Sequence, residues 1–267
     1  MTLFEAVLLG VVQGITEFLP ISSSGHLILV EDWLGLHVES LKSFDIAVHF
    51  GTLVAIFAYF RKDFSQLFLA SVAIVKRKKG YEKEKKLIKW LVLATLPAVF
   101  VGLFLGDTID FYARSSFSVA IVLILVGLIF FIAEYVHSKL QIKKINFLNS
   151  FIIGCAQAIA LIPGVSRSGI TITAGIFQGI KREEAARFSF LLGSIAITAA
   201  TLLAIVKSFS GDIETVSLEL IIAGLLASGF SGFFAVSFLM KYLKKHSLRI
   251  FGLYRIILGV LILLFYL

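Results

Sequence analysis

Two polar side chains, Gln13 and Glu17, interrupt an apolar N-terminal segment. Their spacing of four residues places them on one face of a helix. A carboxylate held away from water requires a partner, a metal ion or a catalytic task. We therefore expect Glu17 to have one of these three roles. The simpler alternative is that Glu17 only bonds to hydroxyl groups or an arginine within a helix bundle.

A run of serines follows Glu17 after Pro20, and it ends in Gly25 and His26. Pro followed by a run of Ser and then by Gly favours a turn, after which His26 could face Glu17. A histidine beside a carboxylate can transfer protons, and a hydroxyl group beside a base can attack phosphorus. The motif predicts Ser23 as nucleophile and His26 as its activator or as the acid for the leaving group, with Ser22 and Ser24 binding phosphate. Attack by water, or a His26 that only packs, is the alternative.

The second polar motif centres on Arg167. A guanidinium is expensive in an apolar segment, and its forked donors match a phosphate group. The flanking glycines permit close approach of the backbone to an anion. We therefore expect a phosphate site made of Arg167 and the nearby hydroxyl groups of Ser166, Ser168 and Thr171. The alternative is a structural arginine bonded to backbone carbonyls at a helix break.

The composition predicts a membrane protein. Of the 267 residues, 58% are hydrophobic and only 16% are charged, and the formal net charge is +8. Helical stretches of about 18 apolar residues can cross a hydrocarbon core. Lys and Arg cluster between such stretches, so the positive charge reports membrane topology and not nucleic-acid binding. Because Glu5 and Gln13 interrupt the first stretch, we expect no cleavable signal before the first motif.

The positive-inside rule assigns the loops between the apolar stretches to the inside or the outside of the membrane. The densest basic segment, 76–89, is placed in the cytoplasm, and the acidic turn at Asp107 and Asp110 and the loop at Asp212 and Glu214 are placed outside. Six crossings result, at 44–60, 90–105, 117–136, 188–206, 218–240 and 250–267. The short stretch 64–75 should lie along the inner surface, and Trp90 falls near a membrane boundary. His49, at the end of one crossing, is either a neighbour of the site or an interfacial residue.

Two further segments, 2–36 and 146–179, begin and end on one side, so each is predicted to be a re-entrant pair of half-helices. An offset of 144 residues pairs Gln13 with Gln157 and Ser22 with Ser166, and it pairs Ser23 with Arg167. The chain thus reads as a single membrane domain with one repeat at about 1–138 and a second at about 146–267. Their opposite orientation predicts an all-α polytopic fold with inverted-topology repeats, in which the two breaks meet near the midplane.

The motifs resemble those of the bacitracin-resistance type undecaprenyl-diphosphate phosphatase family. Its (E/Q)xxxE motif is complete at 13–17, its PGxSRSxxT motif at 163–171 and its LPxSSxGH segment at 19–26. The resemblance implies an integral membrane enzyme that removes the terminal phosphate of undecaprenyl diphosphate with Mg²⁺ or Ca²⁺. It also implies that Glu17 and Gln13 bind this cation, although Gln13 stands where many members have Glu, which leaves one carboxylate fewer.

The resemblance also implies a biological setting. The enzyme would recycle the lipid carrier of bacterial cell-wall synthesis, confer bacitracin resistance, and lie in the cytoplasmic membrane with its site open to the outer face. The expected partners are a polyprenyl diphosphate and membrane lipid, and a homodimer is left open. Inverted repeats are also the anatomy of alternating-access transporters, so a transporter or flippase of a polyprenyl-phosphate lipid is the competing hypothesis.

Overall fold

The computed structural model of the chain describes residues 1–36, 41–113, 115–209 and 216–266. These residues form α-helices and no β-strand, which confirms the predicted all-α class. In chain order the helices are α1 (Leu3–Phe18), α2 (Ser23–Leu34), α3 (Lys42–Tyr59), α4 (Arg61–Val75), α5 (Glu82–Ala113), α6 (Ser116–His137), α7 (Phe147–Ile159), α8 (Arg167–Phe177), α9 (Arg182–Phe209), α10 (Leu218–Tyr242) and α11 (Arg249–Tyr266).

Several of the described helices are long and apolar enough to cross a membrane. Four qualify alone: Glu82–Gly106 in α5, Ser116–His137, Arg182–Leu203 in α9 and Leu218–Tyr242. A fifth crossing results if α3 and α4, which bend by 83° at their junction, count as one span. Large apolar side chains such as Phe104, Phe230 and Phe265 are exposed on the outside, where lipid is their natural surrounding. The chain is a polytopic α-helical membrane protein.

The predicted crossings agree with these helices with one correction. The segments 90–105, 117–136, 188–206 and 218–240 fall in α5, α6, α9 and α10, which contain the four qualifying spans. The segment 44–60 covers most of α3, which qualifies only together with α4, so it stays a predicted crossing. The predicted turn at Asp107 and Asp110 is wrong, because α5 continues through both residues to Ala113. Polar residues past an apolar stretch do not by themselves end a helix, and no proline follows to do so. The predicted loop at Asp212 and Glu214 lies outside the described residues.

The sixth predicted crossing, 250–267, corresponds to α11, which is not one of the four qualifying helices. It stays a prediction, and Leu267 lies outside the described residues. The stretch predicted to lie on the inner surface is α4, which bends by 83° from α3, and its position at the surface stays a prediction. The count of six, the repeat boundaries and the orientation in the membrane stay predictions.

Both predicted re-entrant segments are pairs of short helices broken in the middle. In the first pair α1 ends at Phe18 and α2 begins at Ser23, and in the second α7 ends at Ile159 and α8 begins at Arg167. Buried Pro20 and Pro163 lie in the breaks. Proline removes a backbone donor and fixes its own φ, so a helix cannot continue through it without a kink. The sequence thus places two pairs of helix ends inside the bundle.

The first helix of each predicted repeat packs against a long helix of the other repeat. Helix α1 packs against α10, and its counterpart α7 packs against α5. A glycine permits each close approach: a Cβ atom on Gly10 would lie 2.6 Å from the carbonyl oxygen of Gly224, and one on Gly154 would lie 2.7 Å from the Cα atom of Ala94. Gly10 and Gly154 are themselves 144 residues apart. Each broken pair is therefore held by a long helix of the other half.

Candidate active site

The two breaks have the same local geometry. Ser22 has φ 79° and ψ 99°, and Ser166 has φ 69° and ψ 109°, which is the left-handed side that a non-glycine residue rarely adopts. Each hydroxyl group accepts a hydrogen bond from the backbone N–H three residues later, at 3.3 Å from Gly25 and 3.2 Å from Gly169. These N-caps start α2 and α8, so two helix N-termini with their partial positive charge lie at the breaks.

Glu17, at the C-terminal end of α1, is the centre of the site. Its side chain is buried, and its Oε1 atom forms an ion pair with the guanidinium of Arg167 from the opposite break. The Ser23 hydroxyl group donates to Glu17 Oε2 at 2.6 Å, and Gln13 Nε2 donates to the same oxygen at 3.1 Å. Thus the carboxylate joins three of the predicted site residues, drawn from both motifs.

A second buried arginine, Arg255 of α11, ties the breaks together. It is fully buried, and its guanidinium donates to the carbonyl oxygens of Gly164 at 2.6 Å, Pro20 at 3.3 Å and Leu123 at 3.4 Å. Pro20 and Gly164 lie in different breaks. Arg255 therefore has the structural role that was the alternative for Arg167, namely bonding to backbone carbonyls at a helix break. Sequence reasoning missed this residue, although a lone arginine in the apolar run 250–267 was a visible signal.

The predicted phosphate ligands divide into two groups. Ser24, Ser166 and Arg167 line a cavity of about 430 Å³ together with Glu17 and Ser23. Ser22, Ser168 and Thr171 are buried and are not among its lining residues, and their predicted role at the phosphate stays a prediction. Ser22 caps α2, while Ser168 lies 3.3 Å from the Ser166 hydroxyl group. Thr171 bonds to the Arg167 carbonyl oxygen at 2.7 Å and to Ser189 at 2.5 Å. These hydroxyl groups shape the break behind the cavity.

The structure does not bring His26 to Glu17 or Ser23. Its Nδ1 atom lies 2.7 Å from the carbonyl oxygen of Ser22, so Nδ1 carries a proton and donates to it. Its Nε2 atom lies 2.7 Å from the hydroxyl group of Tyr254, whose ring stacks on the imidazole. The expectation that His26 faces Glu17 is therefore corrected: the helix that begins at Ser23 turns His26 toward α11.

A different histidine reaches the carboxylate. His49 lines the cavity, and its Nε2 atom lies 4.0 Å from Glu17 Oε2. Its Nδ1 atom is 2.7 Å from the carbonyl oxygen of Asp45, one helical turn earlier, and Asp45 also lines the cavity. The sequence left His49 between a site role and an interfacial one, and the structure places it at the site. The spacing of Asp45 and His49 at i and i+4 in an apolar helix was the available signal.

Apart from Thr201, the rest of the described cavity wall is apolar. It consists of side chains from α3, the second break and α9, namely Ile46, Ala160, Leu161, Ala196, Ile197 and Ala200. Most charged and hydroxyl groups of the cavity thus lie at the two breaks or on α3, and small or aliphatic side chains form most of the remainder. Such a surface suits a ligand with an anionic head and an apolar tail.

The oxygen-rich side chains were tested for a divalent cation. The described residues contain no group of three or more His, Cys, Asp or Glu side chains placed to share a metal ion. The Gln13 Oε1 atom, however, is buried without a hydrogen-bond partner among the described residues, and an amide group can rotate to exchange its oxygen and nitrogen. Mg²⁺ is usually held by one or two carboxylates together with substrate phosphates. Glu17 lines the cavity, whereas Gln13 is fully buried and is not among the lining residues, so the cation site at these two residues stays a prediction.

Fold and site together define a polytopic α-helical membrane protein whose two broken helix pairs present a serine, a carboxylate and an arginine to one cavity. Comparison with known proteins gives the family. Residues 6–261 match the family described as bacitracin resistance protein BacA, and the chain belongs to this family.

Similar proteins span the full length of the chain. A protein of Thermodesulfovibrio yellowstonii named undecaprenyl-diphosphatase is 43% identical over 99% of this chain and 97% of its own length. Proteins of the same name from Rubrobacter xylanophilus and Elusimicrobium minutum are each 41% identical, over 97% and 99% of this chain. The matched segments make up 97% and 98% of the lengths of these two proteins. The predicted family is confirmed.

Proposed function

We propose that this chain hydrolyses undecaprenyl diphosphate to undecaprenyl phosphate and inorganic phosphate at the Glu17 cavity. The observation that carries the proposal is the hydrogen bond of 2.6 Å from the Ser23 hydroxyl group to Glu17, beside the guanidinium of Arg167. It combines a nucleophile, a base and a phosphate-binding cation. The names of full-length relatives support the same substrate. Hydrolysis would return the lipid carrier to cell-wall synthesis and confer bacitracin resistance.

In the first step the Ser23 oxygen attacks the terminal phosphorus atom. A bond forms between Oγ and phosphorus, the bond to the bridging oxygen breaks, and undecaprenyl phosphate leaves with that oxygen and its electron pair. The Ser23 proton passes to Glu17 Oε2, to which it already points. Glu17 replaces His26 as the base of this step, because His26 bonds to Ser22 and Tyr254 instead.

Arg167 would change partners during this step. Before substrate binds, its guanidinium neutralises Glu17, which keeps both charges paired inside an apolar bundle. A diphosphate in the cavity offers Arg167 a stronger, bidentate partner. Glu17 then loses its counter-charge and is free to accept the Ser23 proton, while Arg167 and the N-termini of α2 and α8 stabilise charge on the phosphoryl oxygens.

In the second step water releases phosphate from Ser23. A water molecule gives its hydroxide to phosphorus, the bond between phosphorus and Ser23 Oγ breaks, and the serine recovers a proton from Glu17. His49, 4.0 Å from Glu17 Oε2, is close enough to accept the proton of this water. Direct attack of water on the substrate would use the same groups without a phosphoserine.

We further propose that Glu17 and Gln13 hold Mg²⁺ or Ca²⁺ together with phosphate oxygens of the substrate. When bound, the cation would withdraw negative charge from the phosphoryl group. The unpartnered Oε1 atom of Gln13 supports this proposal. Calorimetry with Mg²⁺ should show tighter binding when a non-hydrolysable diphosphate is present, and Gln13→Leu should remove that difference.

Phosphate release by the purified chain tests the site. Arg167→Ala or Glu17→Ala should lower kcat/KM on undecaprenyl diphosphate by at least about a hundredfold, as loss of a charged transition-state contact does. Near wild-type rates in both variants would show that the site is elsewhere. Rapid quenching with substrate labelled in its terminal phosphate should trap label on Ser23 in the wild type and none in Ser23→Ala. Wild-type activity without label would favour direct attack by water.

The competing transporter function needs a binding cradle but no pair of nucleophile and base. Phosphate release in detergent distinguishes the two, since a detergent micelle has no second compartment. We also propose that the chain lies in the cytoplasmic membrane with the Glu17 cavity toward the outer face, which the basic loops support. A Lys79→Cys variant in a Cys155→Ser background should then react with a membrane-impermeant maleimide only after cell lysis.

A further inference from the structure

We propose that a second cavity, remote from Glu17, binds the phosphate headgroup of an anionic phospholipid. This cavity of about 390 Å³ lies between α5 and α9, beside the segment that precedes α7. We call it the lysine cavity, because Lys83, Lys86 and Lys144 line it with Arg187. It shares no lining residue with the Glu17 cavity.

The cationic groups of the lysine cavity lack enough negative partners. Lys83, Lys86 and Lys144 are exposed, and none of them forms an ion pair with any residue that the structure describes. Arg187 is paired with Asp63, at 2.7 Å from Nε to Oδ1, and Glu184 is the only carboxylate among the described residues that line the cavity. Three ammonium groups thus face one carboxylate. Their mutual repulsion favours an anion between them.

The inner wall of the same cavity is apolar. Phe188 and Leu191 are buried within the core, with 2% and 1% of their surface exposed, and the half-buried Leu87, Trp90 and Ile145 pack against it. Tryptophan is enriched at the membrane interface because its ring is apolar and its N–H group is polar. A free phosphate would have no use for this wall. An anion that continues into an acyl chain would contact both parts.

The neighbouring helix α4 indicates that this end of the bundle meets a lipid surface. It turns 83° from α3 and packs beside α5, and its side chains Phe68 and Val75 are exposed by 68% and 82%. A helix with exposed apolar groups and basic neighbours is typical of the membrane interface. Basic clusters on the cytoplasmic side attract anionic lipid headgroups. The lysine cavity combines such a cluster with a concave apolar wall, so it binds one lipid molecule at a defined place.

Native mass spectrometry of the purified full chain tests the proposal. The wild-type chain, titrated with dioleoyl phosphatidylglycerol or with zwitterionic dioleoyl phosphatidylcholine, should retain one phosphatidylglycerol with at least about tenfold preference. The triple variant Lys83→Gln/Lys86→Gln/Lys144→Gln should lose this preference. The matched triple variant Lys76→Gln/Lys79→Gln/Lys241→Gln removes the same charge from exposed positions outside the cavity and should keep it. Phosphate release in detergent should be unchanged in both variants, so this result is independent of the proposed hydrolysis.

Three results would overturn the proposal. Equal preference in the cavity variant and the wild type would show that the cavity does not hold the lipid. Equal loss in the two triple variants would indicate diffuse attraction by the whole basic face. Competition of 10 mM inorganic phosphate for the retained lipid, down to the level of the cavity variant, would show that the site reads a free phosphate and not a lipid.

Discussion

The guanidinium of Arg167 lies directly against Gly193 of α9. A Cβ atom built on residue 193 would be 2.7 Å from Arg167 Cζ and would overlap Nη1. Only hydrogen at this position leaves room for the side chain to reach Glu17 from the opposite break. Gly193 therefore belongs to the site, although it offers no reactive group.

Gly193→Ala should displace Arg167 and lower kcat/KM for phosphate release by at least about tenfold, because a misplaced donor no longer meets charge in the transition state. The comparison is Gly106→Ala in α5, where an added methyl group meets none of the described atoms within 4 Å. That variant should keep wild-type activity. Full activity of Gly193→Ala would show that Arg167 does not need its observed position.

The hydrogen bond between Ser23 and Glu17 predicts coupled losses of activity. If Glu17 acts by taking the Ser23 proton, then Glu17→Gln and Ser23→Ala should each cost about 10² to 10⁴ in kcat. The double variant should be no slower than the slower single variant, since both changes abolish the same proton transfer from Ser23 to Glu17. Steady-state phosphate release measures this cycle. Losses that multiply would indicate that the two residues act independently.

Much of the site was predictable because its residues carry a chemical cost in lipid. Glu17 and Arg167 stand out in apolar segments for that reason, and the serines between Pro and Gly indicated the breaks. The sequence register of 144 predicted the matching turns at Ser22 and Ser166. The sequence could not predict in which direction the side chains point after a turn. His26 and Ser23 are three residues apart at the start of α2, but the helix points them to different neighbours.

The fold was predictable at the level of crossings and less so at the level of contacts. Apolar stretches identify helices because hydrocarbon thickness sets their length. The end of α5 was misplaced, since charge changes at Asp107 and Asp110 do not require a helix to stop. The bond between Arg255 and both breaks joins residues more than 90 positions apart. A local sequence pattern cannot predict a contact between such distant residues. The helix packing was partly visible in the repeat, because Gly10 and Gly154 lie at equivalent positions 144 residues apart.

The glycines at these two helix contacts should respond alike to substitution. Gly10→Ala and Gly154→Ala force a methyl group against a facing backbone, so overpacking should lower stability by about 1–3 kcal/mol in spite of the helix propensity of alanine. Gly102→Ala is the control, because its nearest neighbour, Leu161 Cδ1, would be 3.8 Å away. It should be neutral or slightly stabilising. Unfolding midpoints in detergent compare the three, and a stable Gly154→Ala would contradict the close contact.

The last prediction concerns Arg255, whose guanidinium bonds to one carbonyl oxygen in each break. Arg255→Met removes every donor at once, and each buried carbonyl left unsatisfied costs about 1–3 kcal/mol, so the unfolding midpoint in detergent should fall clearly. Arg255→Lys keeps a charge, but a single ammonium group cannot span Pro20 and Gly164. We expect that variant to remain folded and to lose at least about tenfold in kcat/KM, because the two breaks no longer hold Ser23 and Arg167 at one distance. Arg249→Met removes an exposed charge from the same helix and should change neither quantity. If Arg255→Met matched Arg249→Met in stability and phosphate release, the breaks would be held together without Arg255.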